Sequence, residues 1–175
     1  MALHGWVRME RQRINCIIQI VLYTGKMFDP DPIPLYWVNR LSFLARRELA
    51  DRFRAAGHRI SPEEWAVLVM LWQQDGQGPG DISARSLRDA TTVTRLVDGM
   101  VRKGLVERRE GRRDRRRSEI WLTDQGRQLA DVLPPIAGPL IAQAMQGLSQ
   151  EETELALKVL QRMVENLSTD WTKEG

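Results

Sequence analysis

Along residues 91–123 the apolar positions change period. Val93, Leu96, Val97, Met100 and Val101 recur at i, i+3, i+4, i+7 and i+8, one stripe on a helix. The opposite face carries Thr91, Thr92, Thr94, Arg95, Asp98, Arg102 and Lys103. Gly104 supplies the left-handed residue that ends a helix readily. The period then falls to two. Leu105, Val106, Glu107 and Arg108 make a short strand, and residues 118–123 a returning one with Ile120 and Leu122 on one face.

The same reading places elements on either side. Residues 29–34 (DPDPIP) break any preceding helix. A long helix is predicted over about 35–56, with Val38, Leu41, Ala45, Leu49 and Phe53 along one side and Gly57 closing it. Ser61, Pro62, Glu63 and Glu64 form a helix start: serine caps, proline takes the first turn, and Glu64 completes a capping box. Trp65, Leu68, Val69 and Trp72 follow at core spacing. Residues 76–80 read as a loop, Asp81 as the cap of a short helix from 82 to about 88, and Asp89–Ala90 as a turn. Three helices in this order, the last with a polar face, make a helix-turn-helix unit.

Downstream, Thr123 caps another helix. Pro134, Pro135, Gly138 and Pro139 predict a kink or break in it, with a helix resuming over 136–148. Ser149 and Glu152 form a second capping box. Leu155, Val159, Leu160, Met163, Val164 and Leu167 then give a wide apolar stripe. The first and last helices carry more apolar surface than a small lobe needs, and its natural cover is another copy of the chain.

Charge sharpens this picture. The whole chain of 175 residues carries only a net +3, but residues 108–117 (RREGRRDRRR) hold seven arginines against Glu110 and Asp114. Gly111 permits a turn there. A hairpin tip so basic repels itself unless it is solvated or set against a polyanion. Hydroxyls and guanidinium groups on the preceding helix suit base edges and phosphate oxygens. Helix plus basic hairpin is a winged helix-turn-helix, with the helix in the major groove and the hairpin on the backbone or minor groove. The competing reading is a winged-helix interaction module that sets its basic wing on an acidic protein partner.

Composition excludes other classes. Hydrophobic content of 42% and charged content of 28% are ordinary for a water-soluble domain. The single cysteine, Cys16, leaves no intrachain disulfide and no multi-cysteine metal site, and His4 and His58 alone supply few metal ligands or triad members. No metal, cofactor or enzymatic activity is expected, and a reducing cytoplasm fits. His58 reads as a turn residue at a helix end. Residues 14–23 (INCIIQIVLY) are apolar but about half the roughly 20 residues a membrane span needs, so no membrane partner is expected. Residues 1–33 read as an extension, either disordered or a dimer arm. Met27 offers an alternative start.

The order of elements and the motifs TTVTRLVDGMVRKGLVERR and DRRRSEIWLTDQGRQLA resemble the MarR family of bacterial transcription regulators over about residues 34–168. Asp114, Arg116, Leu122, Thr123 and Gly126 fall in the family's wing-tip and Leu-Thr-x-x-Gly places. The resemblance implies a mainly α fold with a small β-hairpin, a winged helix-turn-helix lobe and a helical dimerisation region. The segments are 34–60 (N-terminal dimerisation helix), 61–123 (DNA-binding lobe) and 124–175 (C-terminal dimerisation helices). It implies a homodimer on a pseudo-palindromic double-stranded operator, more in keeping with a repressor than an activator.

By the same resemblance Thr91, Thr92, Thr94 and Arg95 face the groove. Arg116 becomes the minor-groove arginine held by Asp114, among Arg112, Arg113 and Arg115. Arg116→Ala is expected to cost about 1–3 kcal/mol of DNA affinity. A small-molecule effector would bind between the dimerisation helices and the lobe, with Trp37, Trp65 and Trp72 as candidate lining residues. Their bland reading is core. The sequence departs from the family's Leu-Ala-x-x-Leu-Gly at Ser86. Ser42 stands where the hydroperoxide-sensing branch has its cysteine, so no thiol switch is expected unless Cys16 serves by another route. Gly99, inside the recognition helix, should cost about 1 kcal/mol relative to alanine and suggests a close approach to a neighbouring helix.

Overall fold

A computed structural model describes residues 29–111 and 118–168 and divides the chain into two compact units, 1–44 and 45–175. The predictions for residues 1–28, including Cys16, and for Trp171 lie outside the described residues. The division falls within the first helix, α1 (Pro34–Ala55). In the first unit, Pro34 opens that helix. The Trp37 indole N–H donates to the Asp31 carbonyl at 2.8 Å, and Arg40 lies over the rings of Tyr36 and Trp37.

The second unit begins with the rest of α1, of which Phe53 is fully buried. Gly57, at φ 85°, ends the helix by turning the chain, so that the His58 N–H reaches the Phe53 carbonyl at 2.8 Å. Four elements then build a helix-turn-helix with its surroundings: α2 (Pro62–Gln73), α3 (Pro79–Ser86), α4 (Ala90–Arg102) and a hairpin of β1 (Val106–Glu110) with β2 (Ser118–Leu122). The strands pair antiparallel, with Val106 opposite Leu122 and Glu110 opposite Ser118. The chain continues into α5 (Asp124–Ala144) and α6 (Gln150–Ser168). Phe53, Leu68, Leu71, Ile82, Met100, Leu105, Ile120 and Leu133 fill the core. Helices α1 to α5 and the hairpin therefore share one apolar centre, as the mainly α class with a small β-hairpin requires.

The capping box at Ser61 forms as expected. Ser61 Oγ accepts from the Glu64 N–H, and the Glu64 carboxylate accepts from the Ser61 N–H at 2.8 Å. The buried face of α2 is shifted from the predicted one. Val67, Leu68 and Leu71 are buried, while Trp65, Val69 and Trp72 are only half-buried. A tryptophan is apolar over its body and polar at its N–H, so it settles at the edge of a core rather than in its centre. Glu64 itself is buried, which its place in a capping box did not foretell.

Three other expectations change. Helix α3 starts three residues earlier than predicted, with Gly78 as its cap residue. Asp81 accepts from the Gly78 N–H at 3.1 Å rather than capping the helix itself. The predicted 76–80 loop contains Gln77, which bridges to Ile120 on β2 like a fragment of a third strand. Helix α5 runs unbroken through Pro134, Pro135 and Pro139, so the break predicted there and the helix resuming after it form one continuous helix. Each proline removes one backbone donor. All three are exposed, so water can satisfy the freed carbonyls, while Leu133 and Ala137 hold the other face in the core.

Gly99 makes no close approach. A Cβ there would meet only the tip of Arg102, at 3.8 Å. The position that demands close approach is Gly126 of α5, where a Cβ would run into the Leu105 carbonyl oxygen. Between α3 and α4, Leu87 adopts the left-handed conformation (φ 52°, ψ 39°). It fills the place at which the Leu-Ala-x-x-Leu-Gly pattern has its glycine. Helix α6 buries no residue; Leu155, Val159, Leu160, Val164 and Leu167 are all exposed.

Candidate nucleic-acid interface

Helix α4 is set by its first residue. Asp89 takes an extended conformation and caps the helix, accepting the Thr92 N–H at 2.8 Å and the Thr92 hydroxyl at 2.6 Å. The sequence placed Asp89 in a turn. The signal was present, since an aspartate just before an amphipathic stripe is a capping residue. Those Thr92 bonds, the hydroxyl first and the backbone N–H second, hold the Asp89 carboxyl below the ordinary aspartate range.

From this start Val93, Val97 and Met100 point into the core and are fully buried. Leu96 is half-buried and Val101 exposed, so the apolar stripe is narrower than predicted. The other face is in solvent. Thr91, Thr94, Arg95 and Arg102 are exposed, and Thr92 is half-exposed beside them.

These side chains differ in what they have left to give. The Thr92 hydroxyl already donates to Asp89, and the Thr94 hydroxyl to the Ala90 carbonyl at 2.8 Å. Both retain only acceptor capacity for a ligand. The side chains of Thr91, Arg95 and Arg102 have no hydrogen-bond or ion-pair partner among the described residues. Their donors are free. Lys103, read from the sequence as part of the same face, is turned elsewhere. Its ammonium pairs with both oxygens of Glu64 at 2.8 Å and donates to the Arg59 carbonyl at 2.8 Å. That bond neutralises the buried Glu64 and ties the end of α4 to the start of α2.

The hairpin is fastened to this helix and to its surroundings. Arg108 on β1 pairs with Asp98 on α4 at 2.8 Å. Arg109 pairs with Glu107 and lies over the Trp121 ring, 5.1 Å from its centre. The Trp121 ring in turn packs against Gly76, at φ 72°, where a Cβ would collide with it. Asp75 closes the base. One of its oxygens accepts the Leu122 N–H at 2.9 Å; the other accepts Arg127 at 2.6 Å, and Arg127 also donates to the Leu122 carbonyl at 2.8 Å. Nothing local in the sequence marks this clasp, because its partners lie 47 and 52 residues away.

The Leu-Thr-x-x-Gly motif acquires a physical meaning here. Thr123 caps α5 by accepting the Gly126 N–H at 3.1 Å, and its hydroxyl donates to the Gly104 carbonyl at 2.6 Å. Gly126 lets that first turn press on Leu105, and its own carbonyl accepts the Trp72 indole N–H at 3.0 Å.

The remaining candidates fall in different places. Arg112, Arg113, Asp114, Arg115 and Arg116 belong to the segment between the two strands and lie outside the described residues. Trp65 stands edge-on to Trp72 and packs on Phe53, each pair with ring centres 5.4 Å apart. Those contacts put Trp65 and Trp72 against the core. Trp37 belongs to the first unit. Among the described residues no His, Cys, Asp and Glu cluster has the makings of a metal site.

Residues 60–118 match the family model described as the MarR family. The chain is 32% identical over 105 residues to an uncharacterised HTH-type transcriptional regulator, YkoM of Bacillus subtilis (strain 168), covering 60% of this chain and 68% of that protein. It is 30% identical over 115 residues to the HTH-type transcriptional repressor YetL of the same organism, covering 65% and 69%. The crystal structure of an S. aureus MepR–DNA complex superposes with a TM-score of 0.70 at 26% identity, over 79% of this chain and 99% of that one.

Proposed function

The chain belongs to the MarR family of winged-helix transcriptional regulators, and on that premise we propose how it acts. It is a DNA-binding regulator that reads a double-stranded operator with α4 and braces itself with the arginine hairpin. The observation that carries this reading is the pairing of free donors on one exposed helix face with a hairpin pinned beside it. Arg95 and Thr91 have donors to give, and the Asp98–Arg108 bond sets the wing next to them. In this proposal Thr91, Thr92, Thr94 and Arg95 face the major groove. Arg112, Arg113, Arg115 and Arg116 contact the backbone or minor groove, with Asp114 restraining Arg116.

The proposed working form is a homodimer on a pseudo-palindrome whose half-sites lie about 34 Å apart. Helix α1 exposes Leu41, Phe43 and Leu44, and α6 exposes Leu155, Leu160, Val164 and Leu167. Such apolar faces suit burial against a second copy. The proposed sign of control is repression, in keeping with YetL, a repressor by name. A small-molecule effector would release DNA by favouring a spacing of the two lobes that no longer fits. In this reading the protein works in the cytoplasm, where its DNA is, with neither cofactor nor catalytic residue. No helix among the described residues is long and apolar enough to cross a membrane. The family match and the MepR–DNA likeness favour this reading over a wing that docks on an acidic protein.

The test is binding of the purified protein to its own upstream DNA and to a scrambled duplex across a salt series. Tight preference for the upstream site with a steep salt slope is expected. Absence of binding to either duplex at low salt would overturn the regulator reading in favour of a protein partner.

A further inference from the structure

We propose that Leu87 is a specificity-determining residue of the DNA interface, its side chain meeting the 5-methyl group of a thymine at the edge of each half-site. This rests on the DNA-binding reading above.

The residue is held where neither its backbone nor its side chain gains from being leucine. Among the described residues it is the one non-glycine with positive φ, at 52°. That conformation strains a leucine, is tolerated by asparagine and is free for glycine. The surroundings enforce it. The Ser83 carbonyl accepts the Leu87 N–H and, at 3.2 Å, the Arg88 N–H, while the Ser83 hydroxyl donates to the Arg88 carbonyl at 2.5 Å. The side chain contributes little to the core, being 65% exposed, whereas Ile82 on the same short helix is fully buried. A strained backbone supporting an exposed apolar side chain points to a contact made outside the folded chain.

Its place in the fold says which contact. Leu87 lies two residues before Asp89, the cap of α4, and Asp89, Ala90 and Thr91 are exposed beyond it. The N-terminal residues of a recognition helix are the ones that reach base edges. Leucine has no donor or acceptor for a phosphate. The apolar feature that B-form DNA presents in its major groove is the thymine methyl.

The experiment uses the full chain and a duplex that the wild-type protein itself selects from randomised DNA. Each thymine is replaced singly by uracil, which deletes the methyl and keeps the base pair. The partner variants are Leu87→Gly and Leu87→Asn. Both residues accept the left-handed conformation, so both should fold. We expect one position in each half-site at which uracil weakens the wild type about fourfold, the factor expected for exposing one methyl-sized group. Both variants should be weaker on the thymine duplex by the same factor and indifferent to that replacement. Uracil effects that are equal in wild type and variants, or absent at every position, would overturn the proposal and leave the regulator reading intact. Failure of the wild type to select any sequence would overturn both.

Discussion

Asp98 on the recognition helix and Arg108 on the first wing strand meet at 2.8 Å, ten residues apart in sequence and on different elements. The pair converts two mobile surface charges into one fixed relation between helix and wing. Both side chains stay partly exposed, at 47% and 34%, so solvent screens them. A double-mutant cycle of Asp98→Ala and Arg108→Ala, read by urea unfolding, should give a coupling of about 0.2–1 kcal/mol that shrinks as salt is added. A coupling of zero would mean that the pair does not hold the wing.

Two helical glycines should respond to alanine in opposite directions. Gly99→Ala makes only an ordinary contact with the tip of Arg102 and removes backbone freedom from the unfolded chain, so it should stabilise by about 0.5–1 kcal/mol. Gly126→Ala drives a methyl into the Leu105 carbonyl and should destabilise by roughly 1–3 kcal/mol. Unfolding midpoints measured side by side check both signs.

Asp75→Ala strands the Leu122 N–H and one arm of Arg127. The expected loss is about 1–3 kcal/mol, the penalty of leaving the buried Leu122 N–H unmade, since the half-exposed Arg127 can turn to water. Hydrogen exchange at Leu122 should accelerate while exchange in the middle of α4 changes less. Equal acceleration throughout would make Asp75 a determinant of global stability rather than of the wing base.

The Asp89 cap should leave a mark on acid unfolding. Its carboxyl titrates below the ordinary range in the folded protein, through the Thr92 hydroxyl and N–H. Its contribution is therefore complete above the unfolded-state value of about 3.9 and is lost as pH falls through the lower folded value. Asp89→Asn keeps an acceptor for the helix but no longer titrates there. The variant should show a shallower fall in stability below about pH 4, followed by circular dichroism.

Arg95→Ala should weaken binding to a selected duplex by about 1–3 kcal/mol and relax the sequence preference at one position in each half-site. A uniform loss on all sequences, with the salt slope reduced by about one, would reassign Arg95 to a phosphate. Wild-type affinity in the variant would remove Arg95 from the interface.

Much of the lobe was legible because its signals are local. The capping box at Ser61, the stripe of Val93, Val97 and Met100 and the alternation of Ile120 and Leu122 each lie within a few residues and match the observed elements. The candidates Thr91, Thr94 and Arg95 could be placed on an exposed face by helical period alone. The errors also have local causes. Counting Trp65 and Trp72 as wholly apolar rotated the buried face of α2. Treating Pro134, Pro135 and Pro139 as breakers ignored that all three share solvent while Leu133 and Ala137 share the core.

What the sequence determined by itself was periodicity, caps and the concentration of arginines, which are properties of neighbours along the chain. The tertiary structure decided what distant partners settle. It turned Lys103 from the DNA face to the buried Glu64, set Asp75 against Leu122 and Arg127, and pinned Arg108 to Asp98. It also left Leu87 in a strained turn facing solvent. The physical reason is that a donor binds whichever acceptor folding brings within about 3 Å, and period and composition carry no record of which one that will be.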